Sequence, residues 1–380
     1  MMPIKKQSTL VVTFCLLIWG TSSLAQDSQF SNESTHVDAI DNNTYWTPER
    51  LQSAKPLNLP KSTPSKTQSG AKSGQSSGKR VISSGHPPTL PIAPKENLLF
   101  EPLNSTPQPG SELPVSANKI AQRSQGRSNA YFTSSRVIPA PAAQNYYPYS
   151  ATGKLFFSDS AGKSYICSGT AIQPRLVITA GHCVYDAETK TWHTNFLFVP
   201  AYHYGNAPFG WWDWSWATTT TAWINSRGKV PNKGDFAILE IQNNSLGQKI
   251  GDVIGWHGFF TYSANPNHLT LLGYPANFDE GEWLHRVDSQ KFGNTSSNTV
   301  EYGSDMGGGS SGGPWLENFG EISDGQSLNP SGANYVVAVT SYGPNKKLGY
   351  QGASILDSTF SNGSTGIFEK ACSHQLGNCR

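Results

Sequence analysis

The sequence predicts an all-β domain with a short C-terminal helix, preceded by a long disordered leader. From about residue 147, short β-branched and aromatic runs such as "KLFFSD", "YICSGTAI", "RLVITA" and "YVVAVTSYG" alternate with Gly, Pro, Asn and Asp. This pattern is typical of a sandwich or barrel of short strands. The 37 glycines and 25 prolines also favour strands and loops over helices. A helix is expected for "STGIFEKACSHQL", near the end of the chain.

Residues 1–25 have the layout of a secretory signal peptide. Lys5 and Lys6 precede an apolar run from Leu10 to Gly20, and small residues follow up to Ala25. A positive end, a short apolar core and small residues at the cleavage position define such signals. We therefore expect cleavage after Ala25 and export to the extracellular space or the periplasm. No later apolar run reaches the roughly 18 residues of a membrane span, so no membrane contact is expected after cleavage.

The leader, residues 26–136, differs in composition from the rest of the chain. "PKSTPSKTQSGAKSGQSSGKR" is rich in Ser, Gly and Lys, and "GHPPTLPIAP" adds proline without a sustained period. Such a segment buries too little apolar surface to offset the entropy of ordering it, so we expect it to be largely disordered. A leader of this kind on an exported protein is a pro-segment or a linker.

Four cysteines remain after removal of the signal peptide, and an even number in an exported chain indicates disulfide bonds. Three pairings are possible, and metal ligation is the alternative. We favour the pairs that are close in sequence, Cys167 with Cys183 and Cys372 with Cys379. Closing a loop of about 16 residues stabilises a protein by roughly 3 kcal/mol in the chain-entropy model. Because the cysteine spacings do not repeat, we expect no metal.

Two motifs supply residues for acid–base chemistry. In "VITAGHCVYD", His182 follows a strand-like run and precedes Cys183, whose disulfide would hold the loop in the fixed position that a general base needs. In "KGDFAILEI", Asp235 stands directly before an alternating strand. Taken singly, His182 fits an ordinary loop residue and Asp235 an ordinary turn. Their order with a third motif makes the case for catalysis.

The third motif, "GGGSSGGPW", has five glycines and two serines in nine residues. A serine nucleophile needs a base to take its proton, and it needs donors where the carbonyl oxygen becomes negative. The pattern Gly-x-Ser-Gly-Gly-Pro fits only if Ser311 is the nucleophile, because choosing Ser310 loses the Gly-Gly-Pro. We therefore predict Ser311 as nucleophile, with the N–H groups of Gly309 and Ser311 as the oxyanion hole.

In this order, "TAGHC", "GDFA" and "GGSSGGP" resemble the His, Asp and Ser blocks of the chymotrypsin-like serine endopeptidases. "LLGYPAN" and "DMGGGSSGGPW" are similar to the bacterial branch that includes the glutamyl endopeptidases. The resemblance covers about residues 137–380. It implies two antiparallel six-stranded β-barrels, at about 145–252 and 253–366, with the active site between them. On this template His182 takes the proton of Ser311, and Asp235 orients the imidazole.

The match departs from the family at the residue before the nucleophile. Animal members have an aspartate there, which pairs with the new N-terminal amine after activation; this chain has Ser310, so that activation switch is not expected. "SSRVIPAP" offers a cleavage site after Arg136, giving a mature chain that begins at Val137. The alternative is that Arg136 is simply one basic residue of the leader.

The resemblance also places a substrate pocket. Asp305 stands shortly before Ser311, where trypsin-like members have the acid that selects Lys or Arg; its alternative role is to stabilise the loop. Thr340 stands where glutamate-selective members have a histidine, which argues against a preference for glutamate. Ser341 to Gly343 would pair with the substrate backbone as an added strand. We therefore favour a basic over an acidic preference.

Trp212, Trp214 and Trp216 recur at period two, so on a strand they would share one face. They fit core packing, or an aromatic rim that grips substrate or glycan.

The resulting prediction is a secreted serine endopeptidase that acts as a monomer on protein or peptide substrates, without a cofactor. The net charge of +2 gives no reason to expect nucleic acid as a partner. A catalytically silent binding module on the same fold is the main alternative, although all three reactive residues are present. An esterase fits less well, because the Gly-x-Ser-x-Gly elbow and the Ser-acid-His order are missing.

Overall fold

The computed structural model describes residues 33–35, 45–62, 78–90, 93–95, 99, 131–137, 145–264, 268–294, 298–322, 332–345 and 349–380. The signal peptide, with its expected cleavage after Ala25, lies outside these ranges. Within them, every helix is too short or too polar to cross a membrane.

The strands of the described residues are numbered here in chain order. They are β1 (Glu33–Thr35), β2 (Lys55–Pro56), β3 (Ile82–Ser83), β4 (Phe132–Arg136), β5 (Thr152–Ser158), β6 (Ser164–Gln173), β7 (Leu176–Thr179), β8 (Tyr185–Asp186), β9 (Thr191–Trp192), β10 (Thr194–Pro200), β11 (Trp212–Thr219), β12 (Ala237–Ile241), β13 (Gly258–Phe260), β14 (His268–Gly273), β15 (His285–Asn294), β16 (Thr299–Gly303), β17 (Pro314–Glu317), β18 (Tyr335–Asn345) and β19 (Tyr350–Ile355). The helices are α1 (Pro48–Ser53), α2 (Thr221–Ile224), α3 (Ile250–Ile254) and α4 (Ile367–His374).

Two closed antiparallel barrels of six strands each form the body of the protein. The first runs β10-β5-β6-β7-β12-β11, and β11 pairs back to β10. The second runs β14-β15-β16-β19-β18-β17, and β17 pairs back to β14. Helix α3 lies in the connection between them. The predicted pair of barrels is confirmed, and the strands of each lie inside the predicted bounds.

The tryptophan stripe of β11 belongs to the core. Trp212, Trp214 and Trp216 are each at most 2% exposed. Trp214 meets Phe196 edge-on with ring centroids 4.9 Å apart, and Trp216 stacks on His374 at 4.6 Å. The stripe therefore packs the first barrel, and the interpretation as a substrate-gripping rim is wrong.

The predicted C-terminal helix is present as α4, and it returns to the first barrel. His374 is the last residue of α4, and its Nδ1 lies 2.7 Å from Oε2 of Glu240. Glu240 is fully buried and also accepts hydrogen bonds from Ser215 and Asn378. Burial raises the pKa of Glu240, but the hydrogen bonds from Ser215, His374 and Asn378 outweigh it and hold the pKa below its ordinary value. This buried carboxylate anchors the end of the chain.

Both predicted disulfide bonds are present. Cys167 in β6 bonds to Cys183 with Cα atoms 6.4 Å apart, which ties β6 to the loop that carries His182. Cys372 bonds to Cys379 with Cα atoms 5.3 Å apart, at the C-terminal end of α4.

Several stretches of the leader pack on the barrels. Strands β1 and β2 pair with β11 and β6 of the first barrel, β4 pairs with β15 of the second, and β3 pairs with β13. Trp46, Leu51 and Leu59 are buried. The expectation of disorder does not hold for these stretches, because a few apolar residues of the leader are buried against the barrels. The average composition of the leader conceals them.

Candidate active site

Asp235 holds His182 in a fixed orientation. His182 lies in a short 3-10 turn, Gly181–Cys183, directly after β7. Its Nδ1 is 2.8 Å from Oδ2 of Asp235, and its backbone N–H donates to Oδ1 at 2.8 Å. A carboxylate can only accept, so Nδ1 carries the hydrogen. The other ring nitrogen, Nε2, is therefore the basic one.

The hydroxyl of Ser341 donates to the same Oδ2 of Asp235 at 2.5 Å. Asp235 is fully buried, so its charge depends on these three hydrogen bonds for stabilisation. The sequence predicted Ser341 as a residue that pairs with the substrate backbone. Its side chain turns out to face the carboxylate, which local sequence could not reveal.

The loop of Ser311 packs against β6 and against the end of β7, the strand that leads to His182. The Ser311 carbonyl accepts the N–H of Ser168 at 2.7 Å. At Gly312, φ is +75° and an added Cβ would lie 2.6 Å from the backbone nitrogen of Ala180, so only glycine fits there. The fold thus brings the loop of Ser311 into contact with Ala180, two residues before His182.

Two buried atoms at this junction have no hydrogen-bond partner within the described part of the chain. They are Nε2 of His182 and Oγ of Ser311. Buried polar atoms are normally paired, and a catalytic role is one explanation for an unpaired one. These are the atoms between which a proton would pass in serine catalysis.

The neighbouring serine is engaged in structure. The Ser310 hydroxyl donates to the Gly307 carbonyl at 2.7 Å and accepts from Nε2 of Gln351 at 3.0 Å. Gln351 also donates to the Met306 carbonyl at 2.7 Å and accepts from the Ser304 hydroxyl at 2.7 Å. This neutral network holds the loop at the residue before the predicted nucleophile. The sequence missed Gln351, because its contact with Ser310 depends on how strand and loop pack.

The predicted oxyanion hole has one donor in use. Gly309 has φ +91°, a conformation that other residues rarely adopt. Its carbonyl accepts from the Ser168 hydroxyl at 2.9 Å, which fixes the orientation of the loop. Its N–H donates to the carbonyl of Leu57, in the leader, at 3.3 Å. A carbonyl of the chain's own leader therefore occupies one of the two donors of the predicted oxyanion hole.

The predicted pocket residues have defined contacts. Oδ2 of Asp305 accepts from the Ser134 hydroxyl at 3.0 Å. The Thr340 hydroxyl is fully buried and accepts from Nε1 of Trp315 at 2.9 Å. The Gly343 N–H donates to the Pro60 carbonyl at 3.2 Å. Ser134 was not predicted, because it belongs to the leader side of the expected cleavage site.

The expected processing site lies in regular structure. Arg136 ends β4 opposite His285, and its guanidinium forms an ion pair with Asp279. The N–H of the buried Val137 donates to the Leu284 carbonyl at 2.9 Å. Burial raises the pKa of Asp279, but the hydrogen bonds and charges of His285 and Arg136 hold it below its ordinary value. Cleavage after Arg136 stays a prediction.

A buried carboxyl lies at the edge of the site. The hydroxyl of Tyr342, between the predicted backbone-pairing residues Ser341 and Gly343, donates to Oε1 of Glu301 at 3.2 Å. Burial raises the pKa of Glu301 to about 7, and the hydrogen bond from Tyr342 opposes this only in part. The sequence did not indicate Glu301.

The protein has two antiparallel barrels. An Asp–His pair and a serine followed by two glycines lie where the barrels meet. These features define a chymotrypsin-like protein. The family model "Trypsin" matches residues 140–356, and the chain belongs to the trypsin family.

Two relatives match over less than half of this chain. The glutamyl endopeptidase of Bacillus licheniformis is 29% identical over 175 residues, which is 45% of this chain and 50% of that protein. A protein of Bacillus subtilis (strain 168) named extracellular metalloprotease is 24% identical over 179 residues, 46% of this chain and 54% of that one. The chain thus spans about half the length of these relatives.

Solved structures match over more of their own length. The protease Anisep from Arthrobacter nicotinovorans is 31% identical, and the match covers 55% of this chain and 90% of Anisep with a TM-score of 0.46. The thermostable serine protease AL20 from an extremophilic microorganism is 27% identical, covering 55% and 92% with a TM-score of 0.47.

Proposed function

We propose that the chain is a secreted serine endopeptidase. The observation that carries the proposal is that a buried Asp235 orients His182, while Nε2 of that ring and Oγ of Ser311 are both buried and unpaired in the described residues. Acyl transfer by serine requires a rigid base with an available nitrogen and a serine hydroxyl that is not held by another group.

In the proposed acylation step, Nε2 of His182 takes the proton of Ser311 as Oγ bonds to the substrate carbonyl carbon. The carbonyl oxygen becomes negative and accepts from the N–H groups of Gly309 and Ser311. The C–N bond then breaks, and the imidazolium of His182 gives its proton to the leaving amine. Asp235 stabilises the imidazolium throughout. Water then hydrolyses the ester, again with His182 as base.

For the substrate, we propose peptides with Lys or Arg at the bond to be cleaved. Asp305 supports this, because its carboxylate stands before the nucleophile loop and a cation would neutralise it. The buried Thr340 hydroxyl is committed to Trp315 and supplies no cation for a glutamate side chain.

We further propose that the leader is a pro-segment removed near Arg136 and that the mature monomer is extracellular or periplasmic. The signal-like N-terminus and the two disulfide bonds support export. The Lys- and Arg-rich leader precedes the whole family match, as a removable segment would.

A fluorophosphonate probe, followed by mass mapping of the processed protein, tests the function. We expect the phosphonyl group on Ser311 and none on Ser310, since the Ser310 hydroxyl is held by Gly307 and Gln351. Labelling that survives Ser311→Ala, or no labelling of the processed protein, would refute the proposal. The second result favours the binding module instead.

A further inference from the structure

We propose that residues 45–62 of the leader, here called the cleft segment, are an inhibitor that lies along the catalytic cleft in the direction opposite to substrate. The inference rests on the proposed function, because it concerns the same cleft. It gives the leader a binding activity of its own.

Apolar anchors fix the cleft segment at both ends. Trp46 is 7% exposed, meets Phe156 edge-on at 5.8 Å and donates from Nε1 to the Asn195 carbonyl at 2.8 Å. Leu51 in α1 and Leu59 are 5% and 7% exposed. Burying one such side chain contributes about 1.5–3 kcal/mol, so these anchors outweigh the single hydrogen bonds between them.

After Leu51, three backbone hydrogen bonds follow the cleft. The Leu57 N–H donates to the Ile166 carbonyl in β6 at 3.1 Å. The Leu57 carbonyl accepts from Gly309 at 3.3 Å, and the Pro60 carbonyl accepts from Gly343 at 3.2 Å. In chain order, the segment therefore passes β6 first, the predicted oxyanion hole next and β18 last.

A substrate would have to pass these points in the reverse order. The part that is kept as the acyl group precedes the reacting carbonyl and would pair with Gly343. The amine that leaves follows the carbonyl and must lie near His182, which protonates it. The disulfide between Cys167 and Cys183 places this histidine loop beside β6. Substrate therefore runs from β18 to β6.

The opposite direction explains how the segment occupies the cleft without being cut. The chain that follows Leu57 goes towards Gly343, so the nitrogen of Asn58 would leave on the side away from His182. Without a proton donor the C–N bond does not break. Contact is also tight, since a Cβ added to Gly308 would lie 2.9 Å from the Leu57 carbonyl oxygen.

The first experiment measures the rate of fluorophosphonate labelling of Ser311 in the full secreted chain. Leu59→Asp places a charge at a buried anchor. We expect it to speed labelling at least about tenfold, because the cleft segment binds more weakly without the burial of the Leu59 side chain and leaves Ser311 accessible. Lys61→Asp is the control, since Lys61 is exposed in the same segment and labelling should stay slow. Equal rates for Leu59→Asp and the parent chain would overturn the inference.

The second experiment adds a synthetic peptide of residues 45–62 to the Leu59→Asp chain. We expect the peptide to restore slow labelling and to be recovered intact by mass spectrometry. A peptide that does not slow labelling, or one that is cut at Leu57–Asn58, contradicts a reversed inhibitor.

A third measurement separates this inference from the proposed function. Hydrogen exchange on the full chain with Ser311→Ala needs no activity. In this variant the Gly309 and Gly343 amides should exchange slowly. In the double variant that also carries Leu59→Asp, the same amides should exchange at least about tenfold faster. If no form of the protein is labelled by the probe, the endopeptidase proposal fails, and the exchange result still decides whether the segment docks.

Discussion

The hydroxyl of Ser341 donates to Oδ2 of Asp235 at 2.5 Å, the same oxygen that lies 2.8 Å from Nδ1 of His182. A side chain of the second barrel thus fixes a carboxylate of the first. The position of the base therefore depends on how the two barrels meet.

Replacing Ser341 by Ala should lower kcat by about tenfold to a hundredfold, because a hydrogen bond to a buried charge is worth about 1.5–3 kcal/mol. KM should change little, since the hydroxyl faces Asp235 and not the substrate. Steady-state kinetics on a peptide substrate measures both constants. Ser341→Thr keeps a hydroxyl and should recover part of the rate; equal losses in both variants would contradict a positioning role.

The adjacent serines should differ sharply. Ser311→Ala removes the proposed nucleophile and should cost on the order of 10⁶ in kcat, by analogy with a known serine protease. Ser310→Ala removes two neutral hydrogen bonds of the loop, and about 1 kcal/mol for each predicts a loss of less than about a hundredfold. Turnover of the two variants is compared under one condition. Similar inactivation of both would undo the assignment of Ser311.

Asp305→Asn should weaken the preference for Lys and Arg about tenfold or more, since the substrate cation loses a charge-assisted partner. Profiling on a peptide library measures the preference, and Asp305→Glu, which keeps the charge, should retain it. An unchanged profile in Asp305→Asn would leave that residue with a role in loop stability only.

Glu301 should make stability depend on pH. Its pKa is raised to about 7, so the folded state favours the neutral carboxyl. The contribution of the neutral carboxyl to the free energy of unfolding is fully present below the ordinary pKa of glutamate. It is lost as the pH rises through about 7. Glu301→Gln should therefore stabilise the protein by up to about 3 kcal/mol at pH 8 and by little at pH 4.

The measurement for Glu301 is chemical denaturation in the inactive Ser311→Ala background, where self-digestion cannot interfere. Glu188→Gln is a matched control, because Glu188 is exposed. Its effect should be small at both pH values. A gain for Glu301→Gln at pH 4 as large as at pH 8 would show that packing, and not charge, is responsible.

Short motifs were enough to predict His182, Asp235 and Ser311 as site residues, because each stands next to the residues that the predicted chemistry needs. The barrels also followed from the alternation of short strands and turns. Gln351 and Ser134 were beyond such reasoning, since their contacts arise where strands from distant parts of the chain pack together. The anchors of the cleft segment were missed because Trp46 and Leu59 are isolated in a polar sequence.

The strand β4 has a consequence for the timing of activation. It is held on β15 along its whole length by the strand ladder, and by the Ser134–Asp305 hydrogen bond, so it stays attached to the second barrel. A cut after Arg136 would therefore nick the protein without releasing the piece. In the proposed activation, full activity would therefore lag behind the cleavage by the time that β4 and the cleft segment before it take to leave the barrels.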